Sequence, residues 1–253
     1  MKYIPTYLLQ KLLGFHNYLF VYSLFKIYVL RWDRKENDFM FFLKLIPKRK
    51  GIVLDIGANI GFMTVHLARK SKDLKVYSFE PIPYNLHVLK KIVNLFRLQN
   101  VKIIDCALGN ENKEIEMVMP VIHSIKMQGL SHVVHDSILK NNEGEKFKVI
   151  NRRLDDIDEI KNITHPVVVA IKIDVEKFEY FVLDGGKELL KKYKPIVYCE
   201  VSRKENGIKC FQLMKDLGYE IKVLEKGKLN LYNHQKPINF FFIPSEDSTA
   251  KLT

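Results

Sequence analysis

Cysteine is scarce in this sequence. Cys106, Cys199 and Cys210 are the three in 253 residues, and no two of them form a C-x-x-C pair. An odd and sparse set of cysteines excludes the disulfide scaffold of a small secreted domain and argues against a cysteine-rich zinc site. We therefore expect a protein of a reducing compartment, in the cytoplasm or at the inner face of the membrane.

Long uninterrupted apolar runs and a clear leader sequence are also lacking. Residues 8–30 are rich in Leu, Phe and Tyr, but Lys11, His16, Asn17 and Lys26 interrupt them. A spanning helix needs about 20 mostly uncharged residues, and a signal peptide needs a short apolar core with a small-residue cleavage site. Three interpretations of this N-terminal part remain: a helical cap on the domain, which we favour, a peripheral membrane helix, or a true span.

No recognisable nucleic-acid-binding module and no interleaved basic and aromatic patch is present, so we expect no nucleic-acid partner. Charge, in contrast, is abundant: 41 Lys and Arg against 29 Asp and Glu give a formal net charge of +12. Lysine spread along the chain is typical of a solvated surface, and attraction to an anionic membrane or an acidic glycan is the alternative. The length and an apolar fraction of 47% fit one α/β domain with an appendage.

From residue 51 onward the predicted strands and helices alternate, and two of the predicted helices lie at 154–161 and 176–190. The predicted strands are short, largely apolar stretches bounded by polar residues, and they lie at 52–55, 75–80, 101–105, 167–174 and 196–201. This βαβ order is typical of a doubly wound, mostly parallel sheet with right-handed crossovers and helices on both faces.

Two further segments depart from this alternation. Residues 219–224 and 238–243 predict an antiparallel hairpin that ends the sheet. Residues 111–149 interrupt the alternation: strands are predicted at 114–119 and 146–153, and residues 123–139 between them have no steady period. The segment as a whole predicts an irregular insertion of the kind that forms a lid or an acceptor-binding loop. We expect a domain over 47–253, preceded by a helical extension over 1–46.

The first predicted strand runs into Asp-Ile-Gly-Ala-Asn-Ile-Gly. Gly57 and Gly61 permit unusual backbone dihedrals and the close approach of a ligand to bare backbone. The spacing Asp-x-Gly-x-Asn-x-Gly differs from the Gly-x-Gly-x-x-Gly of dinucleotide enzymes. A carboxylate before the turn suits a ligand with an amino group and suits a pyrophosphate badly. We therefore predict a site for S-adenosylmethionine (SAM) that includes Asp55, Gly57, Asn59 and Gly61.

Acidic residues also end the second and third predicted strands. Glu80 can accept both hydrogen bonds of a ribose diol, a role that also exists in NAD enzymes, and Pro81 fixes the turn behind it. Asp105, Cys106 and Ala107 end the third strand, beside the expected adenine. There Asp105 can bond the exocyclic amine, and the backbone of the next two residues can serve the ring. These five residues complete the predicted cofactor site.

The fourth predicted strand leads to the candidate catalytic residues. Asp174 is expected near the transferred methyl group, as a general base on an acceptor hydroxyl or as a group that orients it. Because an ordinary carboxylate is a weak base for an alcohol, we expect either a raised pKa or mainly a positioning role. Glu176 is the second candidate, with favourable charge at a helix N-terminus as its alternative role. Glu200, at the end of the fifth strand, can border the acceptor pocket.

Three histidines fall in the predicted insertion, at His123, His132 and His135. One of them could supply a catalytic base, but histidines in a mobile loop are common. No H-x-E motif or paired-carboxylate spacing accompanies them, so we predict no metal site.

Four segments of the sequence resemble the FkbM family of SAM-dependent methyltransferases. They are Val-Leu-Asp-Ile-Gly-Ala-Asn-Ile-Gly at 53–61, Phe-Glu-Pro-Ile-Pro-Tyr-Asn at 79–85, Ala-Leu-Gly-Asn at 107–110, and Ile-Asp-Val-Glu-Lys-Phe-Glu at 173–179 with Val-Leu-Asp-Gly at 182–185. The resemblance implies a class I methyltransferase fold and, usually, O-methylation of sugar or polyketide hydroxyls. The family commonly has Gly after Asp-Val-Glu. Lys177 stands there in this chain, and it either alters the acceptor pocket or adds a cation for an acidic sugar.

The sequence therefore predicts a SAM-dependent methyltransferase that methylates a sugar or glycan hydroxyl, with a saccharide or glycolipid as acceptor. Four alternatives stay open. The acceptor is a protein, an RNA or a small molecule; the N-terminal part contacts a membrane; the chain is a non-enzymatic module that binds SAM or a membrane; or it is an NAD(P)-dependent oxidoreductase. The glycine spacing and the terminal hairpin argue against the last of these.

Overall fold

Strands supply the framework of the protein in the computed structural model, which describes residues 4–138, 142–161, 167–202, 205–233 and 235–245. The described strands are Gly51–Ile56 (β1), Leu74–Phe79 (β2), Val101–Ile104 (β3), Ala107–Gly109 (β4), Lys113–Ile122 (β5), Ile125–Lys126 (β6), His132–Val133 (β7), Gly144–Arg153 (β8), Val168–Ile173 (β9), Ile196–Glu200 (β10), Tyr219–Glu225 (β11), Lys228–Leu231 (β12) and Asn239–Pro244 (β13). The described α-helices are Ile4–Leu13 (α1), Phe15–Val29 (α2), Asn37–Leu45 (α3), Phe62–Lys70 (α4), Pro83–Leu95 (α5), Asp158–Lys161 (α6), Glu179–Asp184 (α7), Lys187–Tyr193 (α8) and Glu205–Asp216 (α9).

Eight of these strands form one sheet in the order β12-β11-β13-β10-β9-β1-β2-β3. The five strands from β3 to β10 in this order pair in parallel, which confirms the predicted doubly wound α/β fold. Strand β13 runs antiparallel to both of its neighbours, β10 and β11. The sheet is therefore mostly parallel, with an antiparallel part at its C-terminal side.

The predicted terminal hairpin is right in its pairing and wrong in its position. Strands β11 and β13 do pair antiparallel, but β13 lies inside the sheet, and the tight hairpin joins β11 to β12 through Gly227. The physical reason is the run Phe240–Phe242, whose three side chains are all fully buried. Consecutive apolar residues need cover on both faces, which an interior position provides.

Alternate side chains of the central strands pack into two separate cores. Ile52 and Leu54 face the side covered by α7, α8 and α9, whereas Val53 faces the side covered by α3 and α4. The same alternation occurs in β13, where Phe241 points to the α3 side. Helices thus cover both faces, as the βαβ order predicts.

The N-terminal residues are helical and pack against the domain. Phe39 and Phe42 of α3 are fully buried in the same core as Val53. Leu19 of α2 packs with residues of α4 and α5, and Gly14, with φ 73°, separates α2 from α1. Among the residues that the structure describes, no helix is long and apolar enough to cross a bilayer. The division into 1–46 and 47–253 stays a prediction.

The insertion contains both strands predicted there, 114–119 within β5 and 146–153 within β8, but it forms a second sheet and not an irregular loop. The ten-residue strands β5 and β8 pair antiparallel, β4 pairs parallel to β8, and β6 and β7 pair with β5. Charged residues alternate with apolar ones here, and Lys146 and Lys148 form cross-strand ion pairs with Glu116 and Glu114. Opposite charges on this solvated face stabilise the pairing of the two strands. Residues 139–141 of the predicted loop lie outside the described residues.

Two predicted helices are shorter than expected. The helix predicted over 176–190 begins at Glu179 and is split into α7 and α8 at Gly185 and Gly186. A Cβ on Gly185 would overlap the backbone oxygen of Gly109, so the break brings α7 directly against β4. The helix predicted over 154–161 is a 3-10 turn followed by the single turn α6.

Candidate active site

The glycine turn after β1 is held against the ends of two neighbouring strands. Gly57 has φ 74°, and its N–H and that of Ala58 donate to the Phe79 carbonyl at 3.1 and 2.9 Å. A Cβ on Gly57 would overlap the backbone oxygen of Asp174. Only glycine fits this position, because the chain must both take a left-handed conformation and touch the end of β9.

Glu80 connects this turn to the end of β2. Its carboxylate accepts hydrogen bonds from the Asn59 N–H at 2.8 Å, the Ile82 N–H at 2.9 Å and Asn85 Nδ2 at 3.2 Å. Burial raises the pKa of Glu80 to about 7, although these hydrogen bonds and the charge of Lys172 oppose the rise. The carboxylate is therefore fixed in place and becomes fully ionised only above neutral pH.

A cleft of about 630 Å³ opens between this turn and the inserted sheet. Eight residues that the sequence singles out line it: Gly57, Asn59, Glu80, Pro81, Cys106, Ala107, Asp174 and Glu176. The inserted sheet and its connections supply the facing wall, through Met117, Gln128, Gly129, Ser131 and Val133. The insertion thus covers the cleft.

Two buried oxygen atoms in this cleft have no hydrogen-bond partner among the described residues. They are Asn59 Oδ1 and Asn85 Oδ1. Buried acceptors of this kind are normally satisfied, so a ligand with N–H or O–H donors fits the cleft. SAM carries such donors in its ammonium group, its ribose diol and its adenine amine. The cleft therefore fits this cofactor on its own chemistry.

Asp55 lies behind the cleft and does not line it, which corrects the expectation that it meets the ammonium group directly. Its carboxylate is fully buried, accepts a hydrogen bond from Thr64 Oγ1 at 2.6 Å and lies 3.4 Å from Lys172 Nζ. Lys172 in turn donates to the Gly57 carbonyl at 2.7 Å and to the Ile56 carbonyl at 3.3 Å. Asp55 therefore supports the glycine turn through Lys172.

Lys172 is a functional residue that the sequence analysis missed. Burial alone would lower its pKa, but the neighbouring carboxylates Asp55 and Asp174 hold it above its usual value, so the side chain is charged. The sequence does indicate its importance, because Lys172 is the one charged residue in the apolar strand Val168–Ile173. A lysine in a strand buried on both faces requires an acidic partner nearby.

Two other predicted cofactor residues also lie away from the cleft. Gly61 begins α4 with φ 84°, and a Cβ there would come within 2.7 Å of Leu89 Cδ1, so this glycine lets α4 pack against α5. Asp105 is exposed and outside the cleft lining, unlike its buried neighbours Cys106 and Ala107. Burial raises the pKa of the Cys106 thiol to about 12, which keeps it neutral.

The turn after β9 carries the candidate catalytic residues. The Asp174 N–H donates to the Ile56 carbonyl at 3.1 Å, which places its side chain beside the glycine turn, with Lys172 Nζ at 3.9 Å. Glu176 and Lys177 both have left-handed backbone, with φ 53° and 80°. Since α7 begins later, the alternative role of Glu176 as a charge at a helix N-terminus is wrong.

A second cavity of about 680 Å³ begins where the first one ends, with Glu176 lining both. Glu179, Glu200, Lys177 and Lys236 are the other charged residues of its wall. Burial raises the pKa of Glu179 to about 8, against the effect of the Lys177 N–H, which donates to Glu179 Oε1 at 2.8 Å. This cavity therefore offers several polar groups to a second substrate next to the first cleft.

The histidines of the insertion have structural partners. His132 is buried, and its ring nitrogens lie 2.9 Å from the Leu130 carbonyl and 3.2 Å from Asn142 Oδ1. His135 Nδ1 lies 2.8 Å from Ser137 Oγ, and its ring is tilted against that of Phe181, with the ring centres 4.8 Å apart. Neither of these two lines either cavity, and the described part of the chain holds no group of His, Cys, Asp and Glu side chains suited to a metal ion.

A parallel sheet with an antiparallel strand inserted near its end, a glycine turn after the first strand and a carboxylate after the second define a class I methyltransferase fold. The sequence matches the family described as the methyltransferase FkbM domain over residues 55–221. The chain belongs to this family, and its cofactor is SAM. The alternative of an NAD(P)-dependent oxidoreductase is thereby set aside.

Curated relatives show the range of this similarity. A tRNA(Phe) (4-demethylwyosine(37)-C(7)) aminocarboxypropyltransferase of Methanocaldococcus jannaschii is 27% identical over 177 residues, which are 69% of this chain and 68% of that protein. The methyltransferase sdnD of Sordaria araneosa is 28% identical over 192 residues, covering 75% of this chain and 64% of that protein. Methyltransferase 1 of Beauveria bassiana is 26% identical over 144 residues, covering 53% and 57%.

A solved structure, the FkbM methyltransferase of Methylobacillus flagellatus, has a similar fold. The two superpose with a TM-score of 0.51 at 16% identity, over 79% of this chain and 45% of that one. The present chain thus spans between about half and two thirds of the length of the proteins it resembles.

Proposed function

We propose that this chain is an O-methyltransferase that transfers a methyl group from SAM to a hydroxyl of a sugar or glycan, in a saccharide or glycolipid acceptor. One observation carries the proposal: the cleft that fits SAM continues, at Glu176, into a second polar cavity. A donor and an acceptor can therefore be bound side by side, with Asp174 at the end of β9 close to their junction.

Each part of the cofactor would have its own partner among the residues of the first cleft. Glu80 suits the ribose diol, the backbone at Cys106 and Ala107 suits the adenine, and Asn59 suits a cationic or N–H donor group. SAM, when bound, supplies an electrophilic methyl group on a sulfonium. Asp55 and Lys172 fix the glycine turn behind it. Binding in this fixed geometry provides the alignment on which methyl transfer mainly depends.

Asp174 and Glu176 are the residues we assign to the acceptor hydroxyl. A neutral hydroxyl that attacks a cationic donor disperses charge in the transition state, so the site gains most from orientation and from exclusion of water. A carboxylate that accepts the hydroxyl hydrogen bond orients a lone pair toward the methyl group and takes the proton as the bond forms. Lys172 Nζ lies 3.9 Å from Asp174 Oδ2, so a buried cation stands beside this carboxylate.

The chemistry of the second cavity supports a hydroxyl-rich acceptor. Its charged residues are carboxylates and lysines, which suit the many hydroxyls of a sugar. Lys177 and Lys236 would also favour a sugar that carries an acidic group. Protein, RNA and small-molecule acceptors remain alternatives that the experiment below separates.

Aminocarboxypropyl transfer to tRNA is a second candidate function, because one relative with 27% identity carries that name. Such an enzyme uses another carbon of the same donor: it breaks the bond between sulfur and the amino acid chain. The two functions therefore differ in which part of the donor reaches the acceptor.

Two differently labelled donors test the proposal. The protein is incubated with a cell-envelope extract, or with total tRNA, and with SAM labelled either in its methyl group or in its carboxyl carbon. We expect only the methyl label to be transferred, and only into the carbohydrate fraction. The product should resist alkali because it is an ether, whereas a methyl ester would be hydrolysed.

The control pair is Glu80→Gln, in the cleft, and Glu188→Gln, an exposed change in α8. The first should lose labelling and the second should keep it. Transfer of the carboxyl label, or methyl label found in tRNA, in protein or in an alkali-labile product, would overturn the proposal.

A further inference from the structure

The outward face of α2 is apolar, although the helix lies at the surface. Its inward face is buried through residues such as Leu19. On the opposite face the side chains recur at helical spacing and are between 50 and 72% exposed: Val21, Phe25, Tyr28 and Trp32, which follows the helix. A surface helix normally presents polar residues to water, so this face is arranged for a contact.

Helix α1, which precedes α2, also exposes apolar side chains. Leu8, Leu9 and Leu12 are exposed, the last by 81%. The helix is fixed by its other side, because the Gln10 side chain exchanges two hydrogen bonds with the backbone of Lys126, at 3.0 and 3.1 Å. We call the seven residues of both helices the apolar face: Leu8, Leu9, Leu12, Val21, Phe25, Tyr28 and Trp32.

Positive charge is concentrated in the same part of the sequence. Residues 1–50 contain ten Lys and Arg against three Asp and Glu, so this fifth of the chain supplies +7 of the formal net charge of +12. An exposed groove adds further cations, and Asp73 is the one acidic residue among the described residues that line it. We call this the basic groove, defined by Lys50, Arg69, Lys72, Lys75, Arg97 and Lys102.

Contacts on α4 and α5 connect the basic groove to α2. Arg69 lies over the ring of Phe96, at 4.6 Å from its centre, and Phe96 packs in the cluster that contains α2. His66 Nε2 lies 3.1 Å from the Ile27 carbonyl, and both Arg31 and Arg69 contribute to lowering the pKa of His66, after the larger effect of burial. The cations therefore adjoin the C-terminal end of the apolar face.

We propose that the apolar face and the basic groove together bind the surface of an anionic lipid bilayer. An apolar, aromatic helix face bordered by Lys and Arg is what partial insertion into the headgroup region requires, since apolar burial and attraction to anionic lipid add. Exposed Trp32 and Tyr28 match the amphipathic rings that favour this depth. This surface is independent of the two cavities and adds a location for the acceptor to the function proposed above.

Charge distinguishes this partner from its two rivals. A second copy of the chain would bring the same positive region against itself, which disfavours self-association. An RNA would engage the basic groove but leave the apolar face in water, so salt and not the aromatic side chains would control its binding. An anionic bilayer satisfies both parts of the surface at once.

Trp32 is the single tryptophan of the chain, so its fluorescence reports directly on binding at this surface. The full-length protein is mixed with vesicles of phosphatidylcholine alone, or of phosphatidylcholine with phosphatidylglycerol. With the anionic vesicles we expect flotation of the protein, a blue shift of Trp32 emission and protection of Trp32 from an aqueous quencher. Neutral vesicles or high salt should weaken all three.

Matched variants separate the two contributions. Phe25→Ser with Tyr28→Ser should lower vesicle affinity by about tenfold or more, since two partly buried rings are lost. Ile208→Ser with Leu231→Ser, at residues of similar exposure elsewhere, should have no effect. Lys72→Glu with Arg97→Glu should abolish the preference for anionic vesicles, and Lys191→Glu with Lys228→Glu should leave most of it.

Unchanged SAM affinity in the Phe25 and Tyr28 variant shows that the fold is intact. The proposal is overturned if anionic vesicles neither float the protein nor shift Trp32 emission, or if both apolar pairs of variants behave alike. It is also overturned if the protein forms dimers through this face, or if tRNA binds more tightly than anionic vesicles and displaces them.

Discussion

Two turns meet at the carboxyl ends of neighbouring strands, one after β1 and one after β9, and they are built in different ways. The first uses glycine, Gly57, at its left-handed position, and the buried pair of Asp55 and Lys172 supports it from behind. The second places two side chains, those of Glu176 and Lys177, on left-handed backbone. The first turn also has Asn59 on left-handed backbone, with φ 50°, but asparagine adopts this conformation more readily than Glu or Lys. The first turn therefore has less strain than the second, which keeps its strain at a substrate cavity.

This difference matches what each turn has to do. A cofactor site needs one fixed shape, which close backbone packing and enclosed charges provide. An acceptor site gains from side chains at unusual angles, because they reach groups of the second substrate that regular structure would not reach. Left-handed backbone costs about 1–2 kcal/mol for each residue with a side chain, and the rest of the fold must supply this free energy.

The largest effect on stability and SAM binding should come from adding one methyl group to the first turn, at Gly57. In Gly57→Ala the new Cβ overlaps the Asp174 oxygen and the backbone must leave its left-handed conformation. We expect a loss of about 4 kcal/mol or more in the free energy of unfolding and no measurable SAM binding by calorimetry. Gly227→Ala is the control, because its φ is 78° but nothing lies within 4 Å of the new Cβ. It should cost about 1 kcal/mol and leave SAM affinity intact.

Removing the charge behind the first turn should have the next largest effect. Lys172→Met leaves Asp55 buried without its partner, so we expect a loss of about 3–5 kcal/mol in urea unfolding, with weaker SAM binding. In the control, Lys187→Met, an exposed ion pair with Asp184 is removed, which should cost less than about 1 kcal/mol. Equal losses in the two variants would show that the buried pair gives the turn no special support.

The second turn should be visible in the pH dependence of stability. The pKa of Glu179 is about 8 in the folded state and 4.5 in its ordinary range, so the folded chain holds a proton that the unfolded chain has released. The free energy of unfolding therefore falls as pH rises from about 4.5 to about 8, by about 1.4 kcal/mol for each pH unit. Glu80, with a pKa of about 7, contributes in the same direction but only up to that value.

Between about pH 7 and 8 the slope belongs mainly to Glu179. Glu179→Gln should make the urea denaturation midpoint nearly independent of pH in this range, and the exposed change Glu188→Gln should not. If the slope survives in Glu179→Gln, the buried acid is not the group that titrates.

The smallest effect is the relief of strain at Lys177. Lys177→Gly should raise the free energy of unfolding by about 0.5 kcal/mol, because relief of left-handed strain is partly offset by the greater freedom of glycine in the unfolded chain. It should also change KM for the acceptor while leaving SAM affinity unchanged. Lys226→Gly, at a left-handed turn between β11 and β12, is matched in chemistry and should change stability alone. If both variants leave acceptor KM unchanged, Lys177 does not line the acceptor site.

The first turn could be predicted from sequence because its determinants are local. Gly57, Asn59 and Glu80 belong to short segments whose order and spacing are sufficient to indicate the glycine turn and the end of β2. The pairing of Asp55 with Lys172 could not be predicted in this way, since it depends on the register of β1 against β9. For this reason the sequence assigned Asp55 to the ligand, although its actual partner lies within the sheet.

The second turn, and the pairing of the insertion's strands into a sheet, escaped prediction for a different reason. Residues after β9 have good helix-forming side chains, so local preference favours a helix where the backbone is left-handed at Glu176 and Lys177. The sequence predicts strands within β5 and β8, but their pairing joins residues more than 20 positions apart, which local patterns do not specify. Interior placement of β13 likewise depends on the whole sheet, although its three phenylalanines indicate burial.

The contact between Gly109 and Gly185 ties the base of the insertion to the helix that follows the second turn. The tip, with Gln128, Gly129 and Ser131, faces the cleft from the far end of the same sheet. The insertion is therefore anchored to the domain at its base, while its tip contributes side chains to the cleft. Replacing residues 123–137 by the corresponding segment of another family member should therefore change SAM affinity, while the second cavity, which these residues do not line, stays as it is.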